Sequence, residues 1–215
     1  MRGLRGVPDK CGKINSSPVR HLWSTARELG IPVNCMVLDE LGSVSEIIAV
    51  ARDHLPGLRI VIDHCLMLSV GPARSNNTEA TLLAMERLAQ ASPTIYAKLT
   101  CGTHGSKRVF PHKDMHGPLR RIIAAFGADR CVWGSNFPNA LWSKGSSYDQ
   151  NLRLFTDHLG LEATEMTAIL STTALSLWFA TCKCTCTHQS QQRDDGERGE
   201  AARGGRSHRV ALARL

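Results

Sequence analysis

The sequence lacks the features by which membrane-spanning, secreted and nucleic-acid-binding proteins are recognised. No apolar run is long enough to cross a bilayer, and the N-terminal stretch MRGLRGVPDK has no apolar core of the kind that a secretory signal carries. Aromatic residues make up only 5% of the chain and are not interleaved with basic ones, which argues against a nucleic-acid-binding stripe. No glycine-rich nucleotide motif follows any strand-like run. These absences favour a small-molecule substrate as partner, with neither nucleic acid nor membrane.

The composition is that of a soluble globular protein. The 215 residues are 42% hydrophobic and 21% charged, which suffices for one sizeable core. The net charge of +7 is concentrated partly in an arginine-rich stretch beyond Lys183. Four cysteines lie in or beside apolar runs, where a free thiol packs as a small hydrophobe: Cys35, Cys65, Cys101 and Cys131. Without a secretory signal, this usage predicts a reducing compartment and a cytoplasmic protein.

Apolar runs typical of strands alternate with amphipathic segments typical of helices. The runs lie at 33–38, 58–63, 95–99 and 131–133. Helices are predicted at 16–29, 44–54, 78–90, 118–126, 148–158 and 163–179. The last three strands are spaced by about thirty-five residues, which is typical of parallel βαβ units covered by helices. We therefore predict an α/β fold with four parallel strands, either a small doubly wound sheet or part of a (β/α)8 barrel.

Three regions differ in composition. Residues 1–15 lack apolar periodicity and are predicted to form an irregular edge of the domain at 16–180. Residues 181–215 contain little that can be buried, so this low-complexity tail is predicted to be disordered. The tail begins with the thiols of Cys182, Cys184 and Cys186, followed by His188. A zinc site there is disfavoured, because the cysteine spacing is too short and no second ligand pair is held by a fold.

A polar residue stands at the end of each predicted strand. These residues are Asp39, His64, Lys98 and Asn136. Because parallel strands end at one edge of a sheet, where α/β proteins carry their chemistry, we expect them to converge. His64 directly follows an apolar run and fits either a ligand or general base, or a histidine that caps the strand. Asn136 stands two residues before Pro138 and fits either a functional amide or an ordinary turn.

The other candidates carry simpler predictions. Lys98 either neutralises an anionic substrate or extends along the barrel wall towards solvent, and the second is favoured. Asp39 precedes a helix, so a cap role is favoured. Strand alternation turns Asp63 away from His64, into a local bond or a bond behind the site. The polar loop after residue 99 and the segment that follows it are expected to leave three histidines solvated: His104, His112 and His116.

Four blocks of sequence, in this order, resemble the amidohydrolase-related family. They are IVIDH at 60–64, IYAKLT at 95–100, FGADRCVWGSNFP at 126–138 and AILSTTALSLW at 168–178. Members of this family are TIM-barrel, metal-dependent hydrolases, among them lactonases, and decarboxylases. The resemblance covers residues 16–180. It implies a partial barrel built from about the last four to five βα units of the (β/α)8 fold, acting in hydrolysis of a lactone, ester or amide.

The resemblance also implies roles for the strand-end residues. His64 stands where the family has an active-site histidine, which is a metal or substrate ligand, and Lys98 becomes a marginal substrate contact. Asn136 replaces an aspartate that in many members binds the metal and accepts a proton from the attacking water. An amide cannot act as that base, although some lactonase-like members carry asparagine here. The implied cofactor is a divalent metal, zinc or manganese, with His64 as one ligand.

One element of the family pattern is missing. The family begins with a strand bearing His-x-His, and this sequence contains no His-x-His. We therefore expect a chain that starts about half-way round the barrel. It is expected to be either a truncated hydrolase or a catalytically inactive remnant with an interaction role. A partial barrel exposes two edge strands, which favours association as a homo-oligomer or with a partner chain.

Overall fold

Five short strands form a single parallel sheet in the computed structural model, which describes residues 2–8, 12–37, 41–70, 78–100, 105–138 and 146–179. The strands are β1 (Leu4–Gly6), β2 (Val33–Cys35), β3 (Ile60–Ile62), β4 (Ile95–Leu99) and β5 (Cys131–Trp133). They lie side by side in chain order. Each strand pairs in parallel with the next. All five carboxyl ends therefore lie along one edge of the sheet, which we call the carboxyl edge.

Helices connect and cover these strands. They are α1 (Ser17–Glu28), α2 (Val44–Ala49), α3 (Thr78–Ala91), α4 (Lys113–Phe126), α5 (Tyr148–Arg153) and α6 (Ala163–Thr167). Three of them continue in wider π-helical turns: α2 through Val50–His54, α5 through Leu154–His158, and α6 through Ala168–Thr172 and later Leu175–Phe179. Gly30 follows α1 at a φ of +64° and ends that helix, as its position in the sequence predicts.

The α/β fold with parallel strands is confirmed, and the strand count is corrected from four to five. The additional strand, β1, lies within the stretch predicted to be irregular. Gly6 ends it, and a Cβ at that position would lie 2.7 Å from the indole Nε1 of Trp23. Only glycine lets this backbone approach the buried indole so closely. β1 has the sequence Leu-Arg-Gly, which contains one large apolar residue and so no apolar run, and the sequence pattern could not identify this strand.

Helix α4 begins five residues before the predicted start at Pro118. Lys113 is its first residue, and Pro118 lies inside it. The buried Met115 extends the apolar face by one more turn, and His112 precedes the helix in a left-handed conformation with a φ of 56°. Packing of Met115 therefore outweighs the backbone hydrogen bond that the proline removes.

The sheet has two faces with different coverings. The outer face is completely apolar and packs against the helices through residues such as Ile60, Ile62 and Ala97. On the inner face, Val61 and Val132 form a smaller apolar cluster with Leu177 from the last helical segment, against which Tyr96 and Trp178 pack. The segment Leu175–Phe179 thus contacts the inner face at Val61 and Val132.

None of the helices in the described ranges is long and apolar enough to cross a membrane. Several predictions fall outside the described residues and stay predictions. They concern Asp39, His104, the cysteine-rich segment from Cys182 to His188, and the disorder of residues 181–215.

Candidate active site

The carboxyl edge brings three of the predicted site residues to one end of the sheet. His64 follows β3 by two residues, Lys98 lies next to the last residue of β4, and Asn136 follows β5 by three residues. β4 separates the other two strands. With neighbouring strands spaced about 4.8 Å apart, β3 and β5 lie about 10 Å from each other. Lys98 therefore occupies the position between His64 and Asn136.

An unusual backbone conformation follows β3. Residues from His64 to Met67 all have positive φ, between 48° and 57°, and form one left-handed helical turn without glycine. The N–H of Leu68 donates to the carbonyl oxygen of His64 at 3.1 Å and closes the turn. Cys65 and Leu66, the two middle residues of the turn, are completely buried. Non-glycine residues rarely adopt this conformation, and such strain concentrates at functional sites.

A buried carboxylate organises the inner face at this edge. The Asp63 side chain is 1% exposed, and its two oxygens pair with cations from two other strands. Oδ1 lies 3.1 Å from the Lys98 ammonium of β4, and Oδ2 lies 3.2 Å from the Arg5 guanidinium of β1. Of the two predicted arrangements of Asp63, the local bond is not observed, and the ion pairs with Arg5 and Lys98 agree with a bond behind the site. Arg5 also donates to the sulfur of Met36 at 2.9 Å, which holds it against the end of β2.

Lys98 is turned inward, contrary to the favoured prediction that it extends towards solvent. Its side chain is 25% exposed, and its ammonium points at Asp63. Gly134, just after β5, makes room for it. A Cβ at Gly134 would overlap the Thr100 Cγ2 methyl and lie 3.2 Å from Lys98 Cε. The lysine stem consequently packs between the ends of β3 and β5.

His64 is half-buried beside this charged cluster. Its pKa lies below the usual 6.5, first because burial disfavours the imidazolium. The charges of Lys98 and Arg5 lower the pKa further, whereas that of Asp63 raises it. At neutral pH the imidazole is therefore uncharged and can accept a proton or bind a metal.

Asn136 lies in a turn that the following helix holds in place. It has a φ of 54° and is half-buried. The preceding carbonyl, of Ser135, accepts a hydrogen bond from the buried Asn151 amide of α5 at 3.0 Å. Helix α5 is itself started by a capping box between Ser147 and Gln150. The turn that carries Asn136 is thus anchored to a helix rather than left loose.

The two described histidines of the segment after residue 104 are not freely solvated, which corrects that prediction. His112 is 4% exposed, and its Nδ1 lies 2.7 Å from the carbonyl oxygen of Arg108. His116 is half-buried, and its Nε2 lies 2.7 Å from the carbonyl oxygen of Pro111. Both therefore serve to organise the start of α4.

The described side chains at the carboxyl edge do not provide enough ligands for a metal site. Among the described residues, no group of three or more histidine, cysteine, aspartate or glutamate side chains is placed to hold an ion. Both oxygens of Asp63 already face cations. Structural and catalytic zinc sites need at least three protein ligands. The described residues around His64 therefore do not by themselves complete a divalent-metal site.

Comparison with known proteins decides the family. The sequence profile described as amidohydrolase matches residues 2–180. This chain belongs to the amidohydrolase family. Among curated family relatives, it is 38% identical over 98 residues to L-fucono-1,5-lactonase of Burkholderia ambifaria, a match that covers 43% of this chain and 30% of the lactonase.

Solved structures of the family share the fold. An amidohydrolase from Burkholderia multivorans with bound zinc superimposes with a TM-score of 0.70 at 19% identity, covering 84% of this chain and 65% of that one. Amidohydrolase 2 from Bifidobacterium longum subsp. infantis superimposes with a TM-score of 0.59 at 16% identity, covering 84% of this chain and 62% of that one. The chain thus spans less than two thirds of the length of each of these relatives.

Arg5 and Asp63 are the residues of the cluster that sequence reasoning missed as site candidates. The sequence contained one usable signal, because Asp63 stands two residues after Val61 and Lys98 two residues after Tyr96. Val61 and Tyr96 are partners in the strand register. A period of two then places the aspartate and the lysine side by side on one face. Arg5 gave no such signal, since its strand was not predicted.

Proposed function

We propose that this chain is a hydrolase that cleaves a lactone, ester or amide at the carboxyl edge of its sheet. The observation that carries the proposal is the placement of a neutral imidazole, His64, beside an inward-turned cation, Lys98. A base and a cation at adjacent strand ends are the groups that acyl transfer to water requires. Membership of the amidohydrolase family and the match to a lactonase support the same reaction class.

The proposed reaction uses residues of the chain itself. The oxygen of a water molecule attacks the acyl carbon while His64 accepts the proton of that water. The negative charge that develops on the carbonyl oxygen is stabilised by the Lys98 ammonium. Asn136, which cannot act as a base, orients the water or the substrate through its amide. The intermediate then expels the leaving oxygen or nitrogen, which takes the proton back from His64.

A divalent metal, zinc or manganese, stays a prediction for this chain. A zinc-bound structure exists among its relatives, and His64 is the residue we propose as a ligand. The described donors do not complete such a site, so no step above is assigned to a metal. A bound metal would supply a polarised carbonyl or a water of lowered pKa.

A panel of substrates tests the proposal. Purified full-length chain is assayed with L-fucono-1,5-lactone, γ-butyrolactone, p-nitrophenyl acetate and acetanilide. Each substrate is tested without added metal, with zinc and with manganese. We expect turnover of at least one lactone or ester, and a loss of about 10²–10⁴-fold in His64→Ala, the usual contribution of a general base. Failure of every substrate under every condition would reject the proposed hydrolase.

The alternative is an inactive member of the fold with an interaction role. Two observations favour it: the incomplete set of metal donors among the described residues, and the position of β1 and β5 at the two ends of the strand order. Unpaired strand edges promote association. This alternative predicts no turnover, no metal by elemental analysis, and a homo-oligomer by light scattering.

A further inference from the structure

Among the described residues, Asp63 is the most buried charged group that the proposed reaction leaves unused. Its carboxylate is 1% exposed, although carboxylates are almost never fully buried unless they are paired. It takes its two cations from strands on either side, Arg5 from β1 and Lys98 from β4. A chain that needed only a filled core would place an apolar residue here, since a buried ion pair is often no more stable than apolar packing.

We propose that Asp63 is a positioning residue, whose carboxylate holds the Lys98 ammonium at the carboxyl edge between His64 and Asn136. This inference rests on the proposed function, because it assigns Asp63 a role in the geometry of that site. Asp63 does not touch the reacting atoms in this scheme and acts through Lys98. Arg5 is the second cation, which fixes the carboxylate from the opposite side.

Two further contacts support the placement of Lys98. Gly134 leaves space for the lysine stem beside Thr100, and a Cβ there would press on Lys98 Cε. The thiol of Cys65, in the left-handed turn, donates to the carbonyl oxygen of Lys98 at 3.4 Å. The turn that carries His64 is thereby tied to the strand that carries Lys98. Side chain and backbone of this lysine are therefore both constrained, and Asp63 provides the constraint on its charged end.

The charges of the cluster allow a matched set of variants. Arg5, Asp63 and Lys98 together carry one net positive charge. Asp63→Asn leaves two cations facing each other, which endangers the fold. The double variant Asp63→Asn with Arg5→Met keeps one net positive charge and still removes the carboxylate. Arg5→Met alone keeps the Asp63–Lys98 pair. Glu86→Gln, which breaks an ion pair with Arg121 on the outer helices, controls for the loss of a charge elsewhere.

The first readout does not depend on activity. Acetylation of Lys98 by N-hydroxysuccinimidyl acetate is followed by mass spectrometry, relative to the exposed Lys113. We expect the relative rate to rise at least fivefold in the Asp63→Asn, Arg5→Met double variant, because the ammonium is released from its buried partner. It should stay within twofold of wild type in Arg5→Met alone and in Glu86→Gln. An unchanged rate in the folded double variant would overturn the proposal.

The second readout separates positioning from a structural role. If Asp63 acts through Lys98, the charge-balanced double variant Asp63→Asn with Arg5→Met lowers kcat at least thirtyfold relative to Arg5→Met, whereas Asp63→Asn changes kcat less than twofold in Lys98→Met. KM should change less than threefold, because the cation acts on the transition state. Independent, multiplicative losses would overturn the proposal even if the wild type is active. If the wild type turns over no substrate, only the proposed hydrolase function is rejected. The acetylation rate of Lys98 then tests whether Asp63 positions Lys98.

Discussion

Replacing Met67 tests the left-handed turn after β3. Met67 has a φ of 57° and is half-buried, whereas Cys65 and Leu66 in the same turn have no exposed surface. Met67 is therefore the residue at which the backbone can be examined with least disturbance of the core. Two substitutions are compared, Met67→Ala and Met67→Gly, so that loss of the side chain is common to both.

The expected difference follows from the backbone conformation. A residue with a Cβ costs about 1–2 kcal/mol in the left-handed helical region. Glycine avoids that cost but loses about 0.5–1 kcal/mol more conformational freedom on folding than alanine. The free energy of unfolding of Met67→Gly should therefore be about 0.5–1 kcal/mol higher than that of Met67→Ala, so the glycine variant is the more stable one. In an ordinary helix the order is reversed, with glycine about 1 kcal/mol less stable than alanine.

Leu83 provides the matched control, because it lies in the middle of α3 and is 49% exposed. Urea unfolding followed by circular dichroism gives the free energy for all four variants. We predict a change of sign. The glycine variant should be more stable than the alanine variant at position 67 and less stable than it at position 83. A glycine variant less stable than the alanine variant at both positions would show that residue 67 is right-handed and that the site has no strained turn.

Three further predictions concern the same edge, the loop behind it and the base. Gly134→Ala should destabilise the fold by about 1–3 kcal/mol, because the new Cβ overlaps the buried Thr100 methyl. Gly117→Ala in α4 has open space around the new Cβ and should be neutral or stabilising. Urea unfolding measures both changes. Burial raises the pKa of Asp114, but hydrogen bonds from the preceding loop outweigh burial and hold the pKa below its usual 3.8. The ionised carboxylate therefore stabilises the fold above pH 4, and this stabilisation is lost on acidification. Asp114→Asn should therefore cost about 1 kcal/mol at pH 7, a value kept low by solvent screening, and the difference from wild type should shrink as the pH falls below 3.8. Because the pKa of His64 lies below its usual 6.5, the acidic limb of kcat/KM should have its midpoint below pH 6.5, and a midpoint above pH 6.5 would contradict the neutral base.

The parts of the fold that follow from local pattern were predictable. The bounds of β4 and β5 were predicted from apolar runs of five and three residues, Ile95–Leu99 and Cys131–Trp133. Gly30 and the alternation of strands with amphipathic helices gave the helix end and the parallel sheet in the same way. These features depend on residues that are neighbours in the chain, so a single sequence contains enough information to identify them.

The geometry of the site was less accessible, because it depends on distant contacts. Asp63 meets Arg5 from a strand that starts 59 positions earlier in the chain, at Leu4. The left-handed turn contains no glycine or asparagine, the residues that usually mark this conformation, so nothing in HCLM at 64–67 predicts it. Lys98 was expected to extend towards solvent, and only the buried carboxylate beside it turns the ammonium inward.

The central claim is that hydrolysis takes place at His64, and initial rates of lactone hydrolysis test it most directly. Wild type is compared with His64→Gln and with His21→Gln, which alters an exposed histidine of α1. Circular dichroism verifies that all three chains are folded. We predict a rate lower by about 10²–10⁴-fold for His64→Gln and an unchanged rate for His21→Gln. Equal rates in all three proteins would place the reaction away from His64.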